Sequence, residues 1–302
     1  MMLRCAMALA LTVAGCASNR YGDRAAFPSP QAATDTLVTA LRDSDGEKLQ
    51  DLLGPDVDTV LLSGDAVADH ERIRAFLEAY EQRHQLTSAA DGSVVLTVGE
   101  QQWPLPIPLV RDDGAWVFST ERGKDEIISR RIGSNELDAV QVLLAIQDAQ
   151  REYARIDPDR NGLPDYAAKF LSDVGRRNGL YWPTVEGAPR SPLGALIGAA
   201  AAEGYQRSTK GEPTPYHGYY YRMLTAQGPS ATGGERNYLV KGLLLGGFGV
   251  VAWPAALGNS GVMTFIVNQE GVVYQRYLGP STDAIARSMT KFDPGEGWRK
   301  VQ

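Results

Sequence analysis

A short segment near the middle of the chain places four oxygen-bearing side chains at the spacing of a cation-binding loop. The candidate ligands are Asp157, Asp159, Asn161 and Asp165. Calcium takes several hard oxygen ligands around a tight turn, and Gly162 would allow the backbone to bend there. Ala168, however, stands where a complete calcium loop needs a bidentate glutamate. Two interpretations therefore stay open: a calcium site, and an Asx turn that needs no ion.

Aromatic side chains are concentrated in two later segments. The candidate ligand or partner surface consists of Tyr181, Trp182, Tyr216, Tyr219 and Tyr221. Such rings could stack on a glycan or on a peptide. Alternation along a strand would send Tyr219 and Tyr221 to one face of a sheet and Tyr220 to the other. The alternative is ordinary sheet packing, because aromatic residues dominate protein cores and buried phenols find hydrogen-bond partners.

No segment carries a recognisable catalytic set. The histidines His70, His84 and His217 belong to no HExxH motif and have no metal-ligand spacing. The sequence contains no GxSxG nucleophile motif. Residues 247–252 imitate a dinucleotide fingerprint, but Pro254 follows where its helix should begin. We therefore predict no catalytic residue and no cofactor other than the candidate calcium ion, and a non-enzymatic role is favoured.

The first residues have the pattern of an export signal. Arg4 precedes an apolar run over residues 6–14, which is too short to be a membrane-spanning helix. Val13-Ala14-Gly15-Cys16 has the form of a lipobox, so this region resembles the start of bacterial lipoproteins. The resemblance implies a signal peptide over residues 1–15 and acylation of Cys16. The alternative is a plain secretory peptide that is cleaved elsewhere.

Lipidation would determine both the location and the chemistry of the mature chain. Several acyl chains give a stable membrane anchor, and Ala17 stands where inner-membrane lipoproteins commonly carry aspartate. We therefore expect a periplasmic protein that is anchored through the lipid on Cys16, with the outer membrane favoured. The other cysteine, Cys5, would leave with the signal peptide, so disulfides and cysteine nucleophiles are excluded.

Composition indicates a folded protein whose partners are not nucleic acids. The chain has 302 residues, of which 43% are hydrophobic and 22% are charged, as is typical of globular proteins. Its formal net charge is -6 and its pI is about 5.2. Neutralising phosphates requires clustered Lys and Arg, and the sequence contains no such run. The expected partners are the membrane, through the lipid on Cys16, and an envelope protein.

The first half is predicted to be an α+β domain over residues 30–123, preceded by a small, polar tether over residues 16–29. Apolar periodicity predicts helices over 30–42, 47–53 and 67–84, and strands over 59–62, 93–98, 104–110 and 115–119. Short helices followed by a hairpin that ends in Trp116-Val117-Phe118 resemble the curved-sheet cone of nuclear-transport-factor-2-like domains. That resemblance implies a pocket beneath Trp103 and Trp116.

A long helix over residues 124–156 is predicted to open a second α+β domain, residues 124–302. Gly133 marks a candidate break, since glycine costs a helix about 1 kcal/mol relative to alanine. The apolar stripe that would pack on a sheet is Leu137, Val140, Val142, Leu143, Leu144, Ile146 and Tyr153. Strands are predicted over 216–224, 238–244, 248–253, 262–267 and 272–277, and helices over 166–174, 193–202 and 281–289.

Several pieces of the second half occur in a recognisable order. They are Asn135-Glu136, Ala139-Val140, Ala149-Gln150, Tyr153, Tyr219, Tyr221, residues 261–265 and residues 268–274. In this order they resemble the soluble part of type IV pilins and pseudopilins, which implies a long helix laid across an antiparallel sheet. The chain departs from that family before Asn135, because residues 129–134 lack the apolar helix through which assembled pilins polymerise.

Four further segments are spread along the chain: Ser63-Gly64-Asp65, residues 103–110, residues 179–183 and residues 215–220. Together with the lipobox, they resemble the bacterial domain-of-unknown-function family 2950. That resemblance covers nearly the whole mature chain and brings no catalytic residues with it.

Two functions are consistent with these observations. The first is a non-enzymatic, lipid-anchored envelope protein whose pilin-like half contacts another protein, in pilus or envelope assembly. The second is a periplasmic small-ligand binder or enzyme that uses an N-terminal pocket.

Overall fold

The computed structural model describes residues 21–22, 24–184, 190–206 and 214–301. The protein belongs to the α+β class, as the sequence predicts: helices come first, a long helix occupies the middle, and antiparallel sheets serve both halves. Within the described residues, no helix is both long enough and apolar enough to cross a lipid bilayer.

Four helices begin the first half. They are α1 (Pro30–Asp43), α2 (Gly46–Leu53), α3 (Val57–Leu61) and α4 (Ala66–Gln82), with a 3-10 turn at Gly54–Asp56 between α2 and α3. Side-chain oxygens of Ser29, Asp45 and Asp65 accept backbone amide hydrogen bonds at the starts of α1, α2 and α4. The strand predicted over residues 59–62 is wrong, because Val57 and Val60 lie one turn apart on α3 and are both buried.

One antiparallel sheet completes this half. Its strands are β1 (His84–Ser88), β2 (Val94–Val98), β3 (Trp103–Pro104), β4 (Leu109–Asp112) and β5 (Ala115–Phe118). They pair in the order β1-β2-β4-β5, with β3 also paired to β2. The single strand predicted over residues 104–110 is split in two. Pro104, Pro106 and Pro108 have no amide hydrogen to donate to a ladder, so the chain leaves the sheet between β3 and β4.

The long helix is α5 (Thr120–Ile156), which runs for 37 residues without a break. Gly133 is exposed and lies within it, so the break expected there is absent. Near its start, α5 packs Ile127 on the helices of the first half. Further along, it buries Ala139, Leu143 and Ile146 in a second core. Leu137 was predicted to share that buried stripe, but its side chain is 72% exposed.

The second half contains two further helices and ten strands among the described residues. They are α6 (Gly194–Ala202), β6 (Tyr219–Leu224), β7 (Ala226–Gln227), β8 (Arg236–Asn237), β9 (Leu239–Val240), β10 (Leu243–Leu244), β11 (Gly249–Pro254), β12 (Thr264–Asn268), β13 (Tyr274–Arg276), α7 (Thr282–Ser288), β14 (Lys291–Phe292) and β15 (Arg299–Lys300). The main sheet has the order β15-β13-β12-β11-β6 and is antiparallel throughout.

Alternation along the central strands divides the main sheet between two cores. Val250 and Ala252 of β11 face α5, whereas Val251 and Trp253 point to the other side, toward Ala286 of α7. Two small sheets, β10-β9 and β14-β7-β8, flank this arrangement, and β14 pairs with β7 in parallel. The long helix thus lies over an antiparallel sheet, as the periodicity predicts.

Two other predicted elements are wrong. Residues 166–174 are irregular instead of helical, and the buried Gln150 side chain bonds both Ala167 N and Ala167 O at 2.8 Å, which takes those groups away from any helical pattern. Residues 238–244 form the β9–β10 hairpin instead of one strand. Lys241 and Gly242 both have positive φ at the turn, which reverses the chain there.

Hydrogen bonds join the two halves across α4 and α5. The buried Asp65 carboxylate accepts from the Gly218 backbone N–H and from the Tyr205 hydroxyl, both at 2.9 Å. Asn135 Nδ2 of α5 donates to the Ser260 carbonyl at 2.8 Å. The buried side chains of Asp65 and Asn135 thereby find partners in the second half, and these bonds help to fix how the halves pack.

The two glycines of α5 give a matched test of its continuity. Replacing exposed Gly133 by alanine meets open space, so Gly133→Ala should raise the free energy of unfolding by about 1 kcal/mol. Gly123→Ala should lower it by about 1–3 kcal/mol, because its methyl group would clash with the Pro106 carbonyl. Urea unfolding of both variants measures the difference. A destabilising Gly133→Ala would contradict an unbroken helix.

Candidate functional site

A cavity of about 430 Å³ opens in the first half, between α1, α4, the segment after β3 and the start of α5. Its walls are mostly apolar, with Leu37, Leu41, Leu53, Val60, Leu61, Ile73, Phe76, Val98, Trp103, Pro104, Leu105, Pro106, Ile107 and Ile127. Asp69, Arg72, Arg130, Arg131 and Ser134 supply its polar groups. An apolar cavity with a few convergent polar groups is the usual form of a small-ligand site.

The proline-rich segment creates one wall of this cavity. Leu105 still donates its backbone N–H to the Leu96 carbonyl of β2 at 2.8 Å. The chain then leaves the sheet, and the Pro106 carbonyl lies against Gly123 of α5. Trp103 stands at the mouth, with its side chain 58% exposed and its Nε1 donating to Gln101 Oε1 at 2.8 Å. Trp116, which was expected to cover the same pocket, packs elsewhere: its backbone pairs with Phe27 and its ring lies under Arg111.

Arg131 and Asp69 are the most buried charged residues of the cavity lining, each 5% exposed. Arg131 Nη1 donates to the carbonyls of Thr59 and Leu62, at 3.2 and 3.3 Å, and to Asn259 Oδ1. Its Nη2 donates to the Val60 carbonyl. These acceptors are all uncharged, and the buried Nε has no hydrogen-bond partner. Burial lowers the pKa of Arg131 and the charge of Arg72 lowers it further, whereas the Asp69 carboxylate opposes the shift.

Asp69 and Arg72 lie on α4, and both are close to Arg131 of α5. The Asp69 carboxylate accepts from Arg72 Nη1 at 2.7 Å and from the Ser63 backbone N–H at 2.8 Å. Arg72 Nη2 also donates to Asn135 Oδ1 at 3.0 Å. This network was not predicted from the sequence. The Ser63-Gly64-Asp65 segment lies next to this network. No sequence motif, however, relates Arg72 of α4 to Arg131, which comes 59 positions later.

The five aromatic residues of the predicted ligand or partner surface lie in or against the core of the second half. Trp182 and Tyr219 are buried, and the partly exposed Tyr181, Tyr216 and Tyr221 pack against the same cluster. Tyr219 donates its hydroxyl to the Met263 carbonyl at 3.0 Å. Burial raises the pKa of Tyr216 to about 12 and that of Tyr221 well above its ordinary value. These rings therefore contribute to packing, and parts of Tyr181, Tyr216 and Tyr221 reach solvent. Their use as a ligand or partner surface stays a prediction.

His217 lies close to two of these tyrosines, at the edge of the main sheet. Its ring centroid is 4.1 Å from that of Tyr216 and 6.2 Å from that of Tyr205. Its nitrogens face Glu203 at 3.5 Å and Asp138 at 3.8 Å. Within the described part of the chain, no group of three or more His, Cys, Asp or Glu side chains is arranged to hold a metal ion.

The candidate calcium loop follows α5 directly. The Asp157 carboxylate accepts from the backbone N–H groups of Asn161 and Gly162, each at 3.0 Å. Asn161 Nδ2 donates to Asp159 at 3.0 Å and to Asp165 at 2.9 Å. An amide nitrogen thus occupies the space between two carboxylates where a cation would need oxygen ligands.

Asp159 is the least satisfied group of this loop. Burial raises the pKa of its carboxyl, and the neighbouring charges of Asp165 and Asp157 add to the shift. One of its oxygens, Oδ1, is buried without a hydrogen-bond partner. The predicted lipidation site, Cys16, lies outside the described residues.

Comparisons with known proteins identify a family and nothing beyond it. A search of curated proteins and a search of solved structures each found no match, so the likenesses to pilins and to nuclear-transport-factor-2-like domains stay predictions. A family model described as protein of unknown function (DUF2950) matches residues 24–301, which covers both halves and the cavity between α1, α4 and α5. The family predicted from the sequence is therefore confirmed, and the chain belongs to the DUF2950 family.

Proposed function

We propose that this chain is a non-enzymatic, lipid-anchored protein of the cell envelope, and that its N-terminal cavity binds a small apolar molecule. The cavity carries the proposal: a volume of about 430 Å³ lies within the range of about 300–1,000 Å³ found for ligand sites, and its walls are mainly apolar. This is the function that was predicted as the alternative to protein contact, and the geometry favours it.

The lipid anchor is supported by the sequence alone. The lipobox ends at Cys16, and the first helix, α1, begins at Pro30. Several acyl chains on Cys16 would hold the protein at a membrane surface, with the outer membrane favoured on the periplasmic side. A cavity on a membrane-bound body would be placed where apolar molecules are concentrated.

Binding is favoured over catalysis by the residues that line the cavity. Its ionisable groups are Asp69, Arg72, Arg130 and Arg131, and each is engaged in hydrogen bonds within the protein. None of the three histidines lines the cavity. A general base or an activated nucleophile needs a partner that accepts or delivers its proton, and the described lining offers no such pair.

Removing the aromatic side chain at the mouth tests the cavity directly. Trp103→Ala should weaken binding of the neutral fluorophore N-phenylnaphthylamine by about five- to tenfold, because a ring contact worth about 1 kcal/mol is lost. Fluorescence titration of the full chain measures this affinity. Tyr277→Ala removes a comparably exposed aromatic outside the cavity and should leave the affinity unchanged. Absence of fluorophore binding to the unmodified protein would contradict the proposal.

The candidate calcium loop is proposed to be an ion-free Asx turn, on the strength of the Asn161 amide that bridges its carboxylates. Since the pKa of Asp159 is raised in the folded state, its ionised form costs stability at neutral pH and its protonated form does not. Asp159→Asn should therefore stabilise the protein by up to about 1 kcal/mol at neutral pH, and the gain should vanish below about pH 4.

Thermal unfolding in calcium and in chelator checks this interpretation. The midpoint of the unmodified protein should be the same in both. A midpoint that rises with calcium, and that no longer does so in Asp159→Asn, would instead establish the calcium site.

Contact with an envelope protein through the pilin-like half is the second candidate. One observation favours it: Leu137 on α5 is 72% exposed, on the helix that lies across the main sheet. A photo-crosslinking amino acid placed at Leu137 should give a discrete adduct in intact cells, and the same group at Tyr277 should not. Identical adduct patterns at the two positions, or no adduct at Leu137, would count against this interface.

A further inference from the structure

We propose that the cavity selects a single-chain amphipathic anion: one alkyl chain that ends in a carboxylate or a phosphate. Its charged group would lie beside Arg131 and Arg72, and its chain would lie among Leu37, Leu41 and Phe76. This inference rests on the proposed function, namely that the cavity takes an apolar molecule, and it specifies the chemistry of that molecule.

The charge of the lining is the first support. Three arginines and one aspartate line the cavity. That carboxylate, on Asp69, is already engaged by Arg72 Nη1 and by the Ser63 backbone N–H. Arg130 stands at the exposed edge and pairs with Glu126 at 2.7 Å. An excess of positive charge therefore remains at the buried end, beside Arg131.

The environment of Arg131 is the second support. Its two terminal nitrogens are held by main-chain carbonyls and by the Asn259 amide oxygen, which carry no net charge. Among the described residues, no carboxylate forms an ion pair with Arg131. Its Nε is buried and unpartnered, although the residue lines the cavity. A buried cation that has no ion-paired carboxylate is costly. The nearby Asp69 offsets part of that cost, and a ligand anion would supply a direct partner.

The positions of the two arginines are the third support. Arg72 donates to Asn135, which follows Arg131 by one helical turn on α5. The guanidinium groups of Arg72 and Arg131 are therefore close to each other, near the hydrogen bond that joins α4 to α5. The Arg72 side chain is 35% exposed, so it retains access to solvent and to a ligand. Guanidinium groups bind carboxylate and phosphate oxygens through paired N–H donors, which suits a compact anionic head.

The size and lining of the cavity define the rest of the ligand. About 430 Å³ is near the lower end of the range for small-molecule sites, about 300–1,000 Å³, which favours one chain over a two-chain lipid. The walls are largely aliphatic, and a flexible alkyl chain can adapt to them. The mouth at Trp103 would receive the end of the chain that is remote from the anion.

A matched set of amphiphiles tests the inference on the unmodified full-length chain. Decanoate, decyl phosphate, decanol and decyltrimethylammonium, each below its micelle concentration, compete with bound N-phenylnaphthylamine. One or both anions should bind at least about tenfold more tightly than decanol, and the cation should bind most weakly. Comparing decanoate with decyl phosphate distinguishes a carboxylate head from a phosphate head.

The outcomes separate this inference from the proposed function. If the fluorophore does not bind at all, the cavity is not a site for apolar ligands and the proposed function fails. If the fluorophore binds but decanol competes as well as both anions, or no amphiphile competes, only the charge selection is overturned.

Two arginine variants test where in the cavity the anionic group of the ligand binds. Arg72→Gln should lower the anion affinity about tenfold and leave the decanol affinity within about twofold. Arg74→Gln makes the same change of charge on α4, outside the cavity lining, and should keep the anion preference. Loss of the preference in Arg74→Gln but not in Arg72→Gln would overturn the placement of the anion. If Arg72→Gln fails to fold by near-UV circular dichroism, the amphiphile series on the unmodified chain decides.

Discussion

The hydrogen bonds of the Arg131 guanidinium are the interaction on which the arrangement of the two halves depends. They satisfy the free carbonyls at the end of α3, where a short helix would otherwise leave buried acceptors unpaired. The same side chain binds Asn259, which in turn donates to the Leu62 carbonyl at 2.7 Å. One buried cation thus connects α3, α5 and the turn before β12. Among the described residues no carboxylate forms an ion pair with this cation, although Asp69 lies near enough to stabilise its charge.

The cavity forms because one segment of the chain cannot continue its pairing along the sheet. A run of apolar residues between Trp103 and Val110 would continue a strand if its amides could donate. The alternating prolines remove those donors, and the segment turns away and becomes a wall. Helices α1 and α4 face this wall with aliphatic side chains that do not meet it fully. The binding space is therefore a consequence of interrupted pairing, and it needs no dedicated loop.

Elements with strong periodicity were predictable from the sequence, and elements set by distant contacts were not. The helical spacing of apolar residues over 30–42 and 124–156 predicts α1 and most of α5. This pattern depends only on residues of the helix itself, because they all lie on one of its faces. Residues 166–174 have a similar local pattern, but the Gln150 side chain bonds their backbone from another element. Trp182 and Tyr219 are buried in a cluster that residues distant in sequence build together, with Tyr219 itself a residue of β6. Likewise, Arg72 and Arg131 come together at the charged end of the cavity, and no local sequence pattern relates these two residues.

The length of α5 has a consequence for how the molecule holds together. At about 1.5 Å per residue its 37 residues form a rod of roughly 55 Å, and the two cores are built on different stretches of that rod. Neither core is complete without its share of the helix, and a helix cut between them would expose apolar surface at both ends. The halves are therefore not modules that evolution or an engineer can exchange separately. Heat or denaturant should melt them in a single cooperative transition, although the chain is long enough for two independent domains.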